Sequence, residues 1–396
     1  MLKKLPIYLD ANAGAPLAPS AKEAVLTFLN ESNFLVANPS SIHARGRHTK
    51  RAITRARECV ARTLGEKDEE RILFTSSGTE SNQWIIRSAL EKSSQDPPHW
   101  ITTPIEHDSN LQMVRWLEDR GGTVSYIPVE LDGSLNVKKL HDLIQPETAL
   151  VSAIWVQNET GVINDIQELS SITQSYGLPL HVDAIQAWGK IPLNLKQTQV
   201  QYMSFSSHKI GGLAGTGVIW TNQKNLLPLF LGHQEKFKRG GTENSLGIMS
   251  LAGACLDLRE DKIAYVASLR DRLENAIKEK IPGTKINGGS ARVANTSNLS
   301  FDGVLGDGLV MALDLSGYCV SAGSACSSGV LEPSHTLMAM GKTRLEAMAA
   351  LRISLPMQEL HLPSWEELES FVGVLGQVVD RIRNAVRKDE RKKDRE

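Results

Sequence analysis

The chain has 396 residues, 41% of them apolar, with 44 Lys and Arg set against 45 Asp and Glu. That length suits one large domain plus a smaller one, each able to bury its own core. The near-zero net charge excludes an overall field that would draw the chain to nucleic acid or anionic lipid, so function must come from a local site.

The N-terminal "MLKKLPIYLDANAG" carries two lysines without an apolar leader core, and no later run reaches the length of a membrane span, so an unexported, cytoplasmic protein is expected. Beyond it, short β-rich runs alternate with helix-patterned segments. "RILFT" precedes "ESNQWIIRSALEK", "HWITT" precedes "SNLQMVRWLEDR", "ALVSAIWV" precedes "IQELSSITQSYG", and "LPLHVD" and "VQYMSFS" follow. Such alternation predicts an α/β fold with an open, mostly parallel sheet and helices on both faces. A long helical pattern from about Glu243 to Lys280 ends at "IPG", after which "TSNLSF", "GDGLVMALDLSG", "YCVSAG", "ALRISL" and a final helix from Ser364 read as a second, α+β domain. The expected division is 15–258 for the large domain and 1–14 with 259–396 for the small one. The tail "RKDERKKDRE" reads as a solvated, frayed helix end.

The four cysteines, Cys59, Cys255, Cys319 and Cys326, fit neither a disulfide framework nor a CxxC metal pair, and no resident metal is expected. Cys59 and Cys255 fall in helical patterns and Cys319 in a strand-like one, all three reading as buried packing residues. Cys326 differs. Within "VSAGSACSSG" it is surrounded by Ser, Gly and Ala, a setting for a mobile, reachable nucleophile.

Other motifs supply what such a nucleophile could act with. "SFSSHKIGGLAGTG" places Ser206, His208 and Lys209 at a strand end, "LHVDAIQAWGK" places Asp183 at another with Gln186 three residues on, and "TSSGTESNQ" puts Gly78 and Thr79 just before a helix. These meet the needs of pyridoxal phosphate (PLP), an aldehyde cofactor that binds a lysine as a Schiff base. Its phosphate wants helix N-terminal N–H groups and hydroxyls, from Gly78, Thr79 and Ser206. Its ring nitrogen stays protonated beside a carboxylate, from Asp183. His107 in "PIEHDSN" is a candidate to lie against the ring.

With "YLDANA", "NPSSIHARGR", "FTSSGTESN", "EHDSN", "QNETGVIND", "HVDAIQAWGK", "SFSSHKIGG", "HQEKFKRGGTEN", "GSACSSGVLEPS" and "ALRIS" in this order, the chain resembles the cysteine desulfurases of the class V aminotransferase group, fold-type I PLP enzymes. The resemblance implies a seven-stranded, mostly parallel sheet. It makes Lys209 the Schiff-base lysine, Asp183 the partner of the ring nitrogen, and Gln186 and Asn158 contacts of the ring's phenolic oxygen. Gly78, Thr79, Ser206 and His208 would hold the phosphate together with Thr242 of a second subunit, hence a homodimer. Asn158 and Arg352 would bind the L-cysteine carboxylate, Arg352 as a planar bidentate donor. Cys326 would attack the substrate sulfur with His107 shuttling a proton, releasing alanine and leaving a persulfide for an acceptor protein of iron–sulfur cluster assembly or tRNA thiolation.

The stretch "VLEPSHTLMAMG" after Cys326 resembles the branch with an extended catalytic loop, and the resemblance leaves room for transient iron–sulfur ligation at Cys326. Gly14, Ala15, Ser77, Phe237 and Pro356 depart from the family's usual wording and point to altered affinity or turnover rather than lost chemistry. A selenocysteine lyase, another class V lyase or transaminase, and a weakly active scaffold are the competing readings. Neither membrane nor direct nucleic-acid partners are expected. His43 reads as ordering its loop and His181 as a packing residue.

Overall fold

The computed structural model describes residues 5–33, 35–195, 198–289, 291–322 and 332–393, with side chains in the last helix up to residue 385. Twelve strands are formed among these residues: β1 (Ile7–Tyr8), β2 (Ile72–Thr75), β3 (His99–Thr102), β4 (Thr123–Tyr126), β5 (Thr148–Ile154), β6 (Leu180–Asp183), β7 (Tyr202–Ser206), β8 (Gly217–Thr221), β9 (Thr284–Ile286), β10 (Thr296–Phe301), β11 (Tyr318–Cys319) and β12 (Ala350–Ser354). Seven make one sheet in the order β2-β8-β7-β6-β5-β3-β4. The run from β7 to β4 is parallel, and β8 is antiparallel to both β7 and β2. The expected mostly parallel, seven-stranded α/β sheet is therefore present.

Much of this sheet is covered on both faces, so even the polar side chains His181 and Asp183 of β6 are buried. β2, β6, β7 and β8 are buried at every position. The core around this sheet gathers residues from Ala18 to Val293. A second core joins Leu9 to residues between Val266 and Val379, around the antiparallel sheet β12-β10-β9 and the pair β1-β11.

The helical pattern expected from Glu243 to Lys280 is two helices, Ser245–Leu256 and Ile263–Lys280. The physical reason is a change of core. Ile248, Leu251 and Ala254 pack into the first core and Val266, Leu269 and Leu273 into the second, so the chain bends where it passes between them. Asp257 marks the bend. Its carboxylate accepts from the Ser20 amide (2.9 Å) and hydroxyl (2.6 Å) instead of continuing the helix. The last helix runs from Trp365, with Ser364 and Glu367 exchanging hydrogen bonds at its start.

The segment after β8 is tied to β2 by a buried ion pair. Arg57 donates two bonds of 2.7 Å to the Glu235 carboxylate, which also accepts from the Phe74 amide at 2.9 Å. Three successive non-glycine residues, Glu235, Lys236 and Phe237, hold φ of 43°, 61° and 63° to make this possible. A left-handed backbone of this kind favours glycine, so Phe237 carries strain that a glycine there would not. Glu235→Gln strands a buried guanidinium, so the unfolding free energy in urea is expected to fall by about 3 kcal/mol. An unchanged unfolding midpoint would show that the pair contributes nothing net.

Candidate active site

Parallel strands put their carboxyl ends on one edge of a sheet, and loops leaving those ends converge there. His107 follows β3, Asn158 follows β5, Asp183 ends β6, and Lys209 follows β7. Because β8 runs antiparallel to both neighbours, β2 points the same way as β7, with Thr75 and Ser206 facing Gly217 from either side. The helix Gly78–Glu91 thus begins at the same edge.

Two glycines let that helix come close. A Cβ on Gly217 would lie 2.4 Å from the Ser77 carbonyl, and one on Gly78 would lie 2.4 Å from Ile185 Cδ1 and 3.3 Å from Ser206 Cβ. Ser77 Oγ accepts from the Glu80 amide and caps the helix. The amides of Gly78 and Thr79 are left as first-turn donors without an intrahelical acceptor, beside the Ser206 hydroxyl, which bonds His208 Nδ1 at 3.0 Å. Burial, with Lys209 and His107 adding to it, pushes the His208 imidazole down to about 4, so it is neutral at pH 7. This cradle is open, donor-rich and shaped for a phosphate.

A hydrogen-bonded chain holds the acid end. Asp183 Oδ2 accepts from Asn82 Nδ2 at 2.7 Å and Oδ1 from the Ile185 amide at 3.0 Å. Asn82 Nδ2 also reaches Ser109 Oγ (3.1 Å), which lies 2.8 Å from His107 Nδ1. His107 caps the helix Asp108–Glu118, its Nδ1 accepting from the Ser109 amide, which leaves Nε2 to carry the proton of the neutral ring. Burial lowers the His107 pKa, with Asp183 pulling the other way. Burial raises that of Asp183, with His107, both hydrogen bonds and Lys209 opposing. A buried carboxylate held this way gains most from a positive partner placed opposite it.

Lys209 Nζ donates to the carbonyls of Asn12 (2.7 Å) and Ala13 (2.8 Å). Burial and the nearby Arg352 pull its pKa to about 8, against the attraction of Asp10 and Asp183. A lysine so poised holds a usable share of free amine at neutral pH. Arg352, on β12, donates Nη2 to Asp10 Oδ1 (2.7 Å) and Nη1 to the Asn158 carbonyl (3.2 Å), while its buried Nε has no partner among the described residues. Gln186 Nε2 donates to the Asn12 carbonyl at 2.9 Å. The donor set fits PLP: a lysine whose pKa is lowered to about 8, a buried carboxylate, a neutral imidazole and a helix start approached closely at Gly217.

Ten of the sequence-singled residues therefore share this edge: Gly78, Thr79, His107, Asn158, Asp183, Gln186, Ser206, His208, Lys209 and Arg352. Thr242 is exposed and makes no hydrogen bond among the described residues. Cys326 lies outside the described residues. The stretch that carries it departs and returns at the site. Ser321 pairs with Arg352 through N–H···O bonds of 2.7 and 3.2 Å, Ser334 Oγ donates to Glu159 at 2.6 Å, and His335 Nε2 meets the Glu106 carbonyl at 3.0 Å.

Cys319, expected to be buried, is only half-buried, because β11 pairs with β1 as a two-stranded sheet. Burial, Asp314 and Asp10 raise its pKa and keep it a thiol. Cys255 is buried, and burial pushes its thiol well up. His43 caps the helix Ala44–Thr63 by accepting from the Gly46 amide. His181 is buried against Ser204, its pKa pushed down to about 3 by burial, as a packing residue requires.

Asn12, Asn82, Asp10 and Lys190 were not singled out from sequence. Asn82 stands one helical turn beyond Gly78, on the face that meets β6, and that spacing was the available signal. Asn12 acts through its main-chain carbonyl, which receives Lys209 and Gln186, and through its side chain, which bonds Lys190, Asn295 and Thr296, contacts that only the fold brings together.

The class-V aminotransferase family model matches residues 7–360. A cysteine desulfurase of Cereibacter sphaeroides is 40% identical over 384 residues, covering 95% of this chain and 96% of that protein. The cysteine desulfurase NifS of Azotobacter vinelandii is 35% identical, covering 96% and 94%. The solved structure of a NifS-like protein from Rickettsia africae superposes with a TM-score of 0.82 at 31% identity, covering 95% of this chain and 99% of that one. Members of this family are PLP-dependent. With a lysine, a carboxylate and a phosphate cradle meeting on one sheet edge, and with likeness along nearly its whole length, the chain belongs to the class-V aminotransferase family, among its cysteine desulfurases.

Proposed function

We propose that the chain converts L-cysteine to L-alanine with PLP as cofactor, placing the sulfur on Cys326 and passing it to an acceptor protein. The observation that carries this reading is the meeting of Lys209, Asp183 and Arg352 with the Gly78 helix start on one edge, where the Cys326 stretch begins and ends.

PLP supplies an electron sink when bound. Lys209 holds it covalently and later moves protons at its own Nζ. Asp183 keeps the ring nitrogen protonated, and Gly78, Thr79, Ser206 and His208 hold the phosphate. Gln186 and Asn158 would hold the phenolic oxygen. Arg352, its plane fixed by Asp10 and the Asn158 carbonyl, binds the substrate carboxylate. The Cys326 thiolate attacks the substrate sulfur, so an S–S bond forms as the substrate Cβ–S bond breaks. The electron pair left on Cβ takes a proton to give alanine, and His107 is placed to carry protons between the groups.

Thr242 completes the phosphate site of a second copy in this reading. The segment leading to it exposes three large apolar side chains, Phe230 (53%), Leu231 (93%) and Phe237 (64%), as suits burial in a homodimer. The large unit 15–258 carries the cofactor residues, and the unit 1–14 with 259–396 carries Arg352 and Cys326. Acceptors of the iron–sulfur assembly and tRNA-thiolation kinds suit a carrier within a stretch rich in small residues. No helix among the described residues is long and apolar enough to cross a membrane, in keeping with work in the cytoplasm. A selenocysteine lyase, a transaminase or a scaffold makes less use of this thiol.

The test is incubation of purified, PLP-loaded protein with L-cysteine. Alanine should accumulate, and mass spectrometry should find one extra sulfur on Cys326. Alanine without that sulfur would favour the lyase alternatives, and neither product would leave the scaffold. Arg352→Lys loses the planar fork, so KM for L-cysteine should rise about tenfold or more, about 1.4 kcal/mol per decade. A KM equal to wild type would remove Arg352 from the substrate site.

A further inference from the structure

Lys190 is 3% exposed, yet among the described residues no carboxylate pairs with its side-chain nitrogen. Its Nζ reaches two neutral acceptors, Asn12 Oδ1 at 2.6 Å and Gln186 Oε1. The charged groups that act on it most are Lys209 and Arg352, both of its own sign, and together with burial they push its pKa well down. Two of the N–H donors on Nζ are thus committed to these two amide oxygens.

The same atoms surround the proposed cofactor. Gln186 turns Oε1 to Lys190 and sends Nε2 to the Asn12 carbonyl, which also receives Lys209 Nζ. Asn12 Oδ1 is held in turn by Asn295 Nδ2 (3.1 Å), and Asn12 Nδ2 donates to Thr296 (2.9 Å) and to the Asn158 carbonyl (3.1 Å). An amide can present either its oxygen or its NH₂ in one direction, and what binds the oxygen decides which. We propose that Lys190 is a positioning residue: by donating to Gln186 Oε1 and Asn12 Oδ1, it fixes the Gln186 amide with its NH₂ toward the phenolic oxygen of the cofactor.

This rests on the PLP reading above and makes a separate demand. An N–H aimed at the phenolic oxygen stabilises negative charge there and loosens the proton that the oxygen shares with the lysine-bound nitrogen. Lys190→Met keeps the length of the stem and removes the donor. The visible absorption of its lysine-bound cofactor should titrate about one pH unit higher than wild type, a tenfold change in proton affinity. Gln186→Leu alone should give a shift in the same direction, and adding Lys190→Met to it should give no more, because the first residue acts through the second.

Lys190→Gln keeps an NH₂ donor on a shorter stem and should shift less, in the same direction. If Lys190→Met does not fold, the sign of that smaller shift and its disappearance in the Gln186→Leu background decide the matter. An unmoved titration in the Lys190 variants, or an equal shift with and without Gln186, would overturn the proposal. Wild-type protein that develops no visible band with PLP would instead overturn the cofactor reading itself.

Discussion

Lys209→Ala abolishes both the visible absorption of the PLP-loaded chain and its release of alanine from L-cysteine, the latter by about 10²–10⁴-fold or more. Two proposed roles would end together, since the same Nζ would tether the cofactor and move protons. The fold survives, because Lys209 is only half-buried and its two hydrogen bonds go to main-chain carbonyls of the loop at Asn12 and Ala13. Circular dichroism and the unfolding midpoint check that point. The wild-type apoprotein should show the same chemistry as a pH profile. With its pKa lowered to about 8, Lys209 is mostly cationic at pH 7 and mostly free amine at pH 9. The free amine is the species that attacks an aldehyde, so PLP uptake should quicken about tenfold between those values. A rate flat across that range, or one that falls, would mean that another group limits the reaction.

Cys326→Ala leaves the cofactor absorption in place and removes the sulfur transfer. Alanine formation should fall by about three orders of magnitude or more, and no extra sulfur should appear on the protein after L-cysteine is added. The two variants thus separate. Lys209→Ala loses the spectrum and the reaction, while Cys326→Ala loses the reaction alone. Full activity in Cys326→Ala would hand the nucleophile's part to another group. Cys319 is a poor substitute, with a thiol kept protonated by burial, Asp314 and Asp10, and Cys59 and Cys255 belong to the large core.

Much of this site was legible in the sequence because its chemistry depends on side-chain types at strand ends. Lys209, Asp183 and His107 each follow a β-rich run, and the helix start at Gly78 is marked by small residues. The alternation of strand and helix made the parallel sheet legible for the same reason. Departures came where tertiary contacts override local pattern. The helical periodicity between Glu243 and Lys280 continues across 257–262, and only the change from one core to another bends the chain there. β8, with the sequence "GVIWT", went unassigned because a buried apolar run of that length suits either a strand or a helix.

Local order of residues was enough to determine the α/β class, the strand-end positions of the proposed reacting groups and the presence of one thiol among Ser, Gly and Ala. Only the folded chain decided how those groups are held. Asp10 meets Arg352 across 342 residues, Asn82 meets Asp183 across 101, and the Asn12 carbonyl receives Lys209 across 197. Contacts at such separations leave no periodic trace in a sequence, and a backbone carbonyl leaves no trace at all. Lys190 shows the difference best. In the sequence it is an ordinary lysine after "AWG", and its distinct chemistry comes from the burial and same-sign neighbours that the fold imposes.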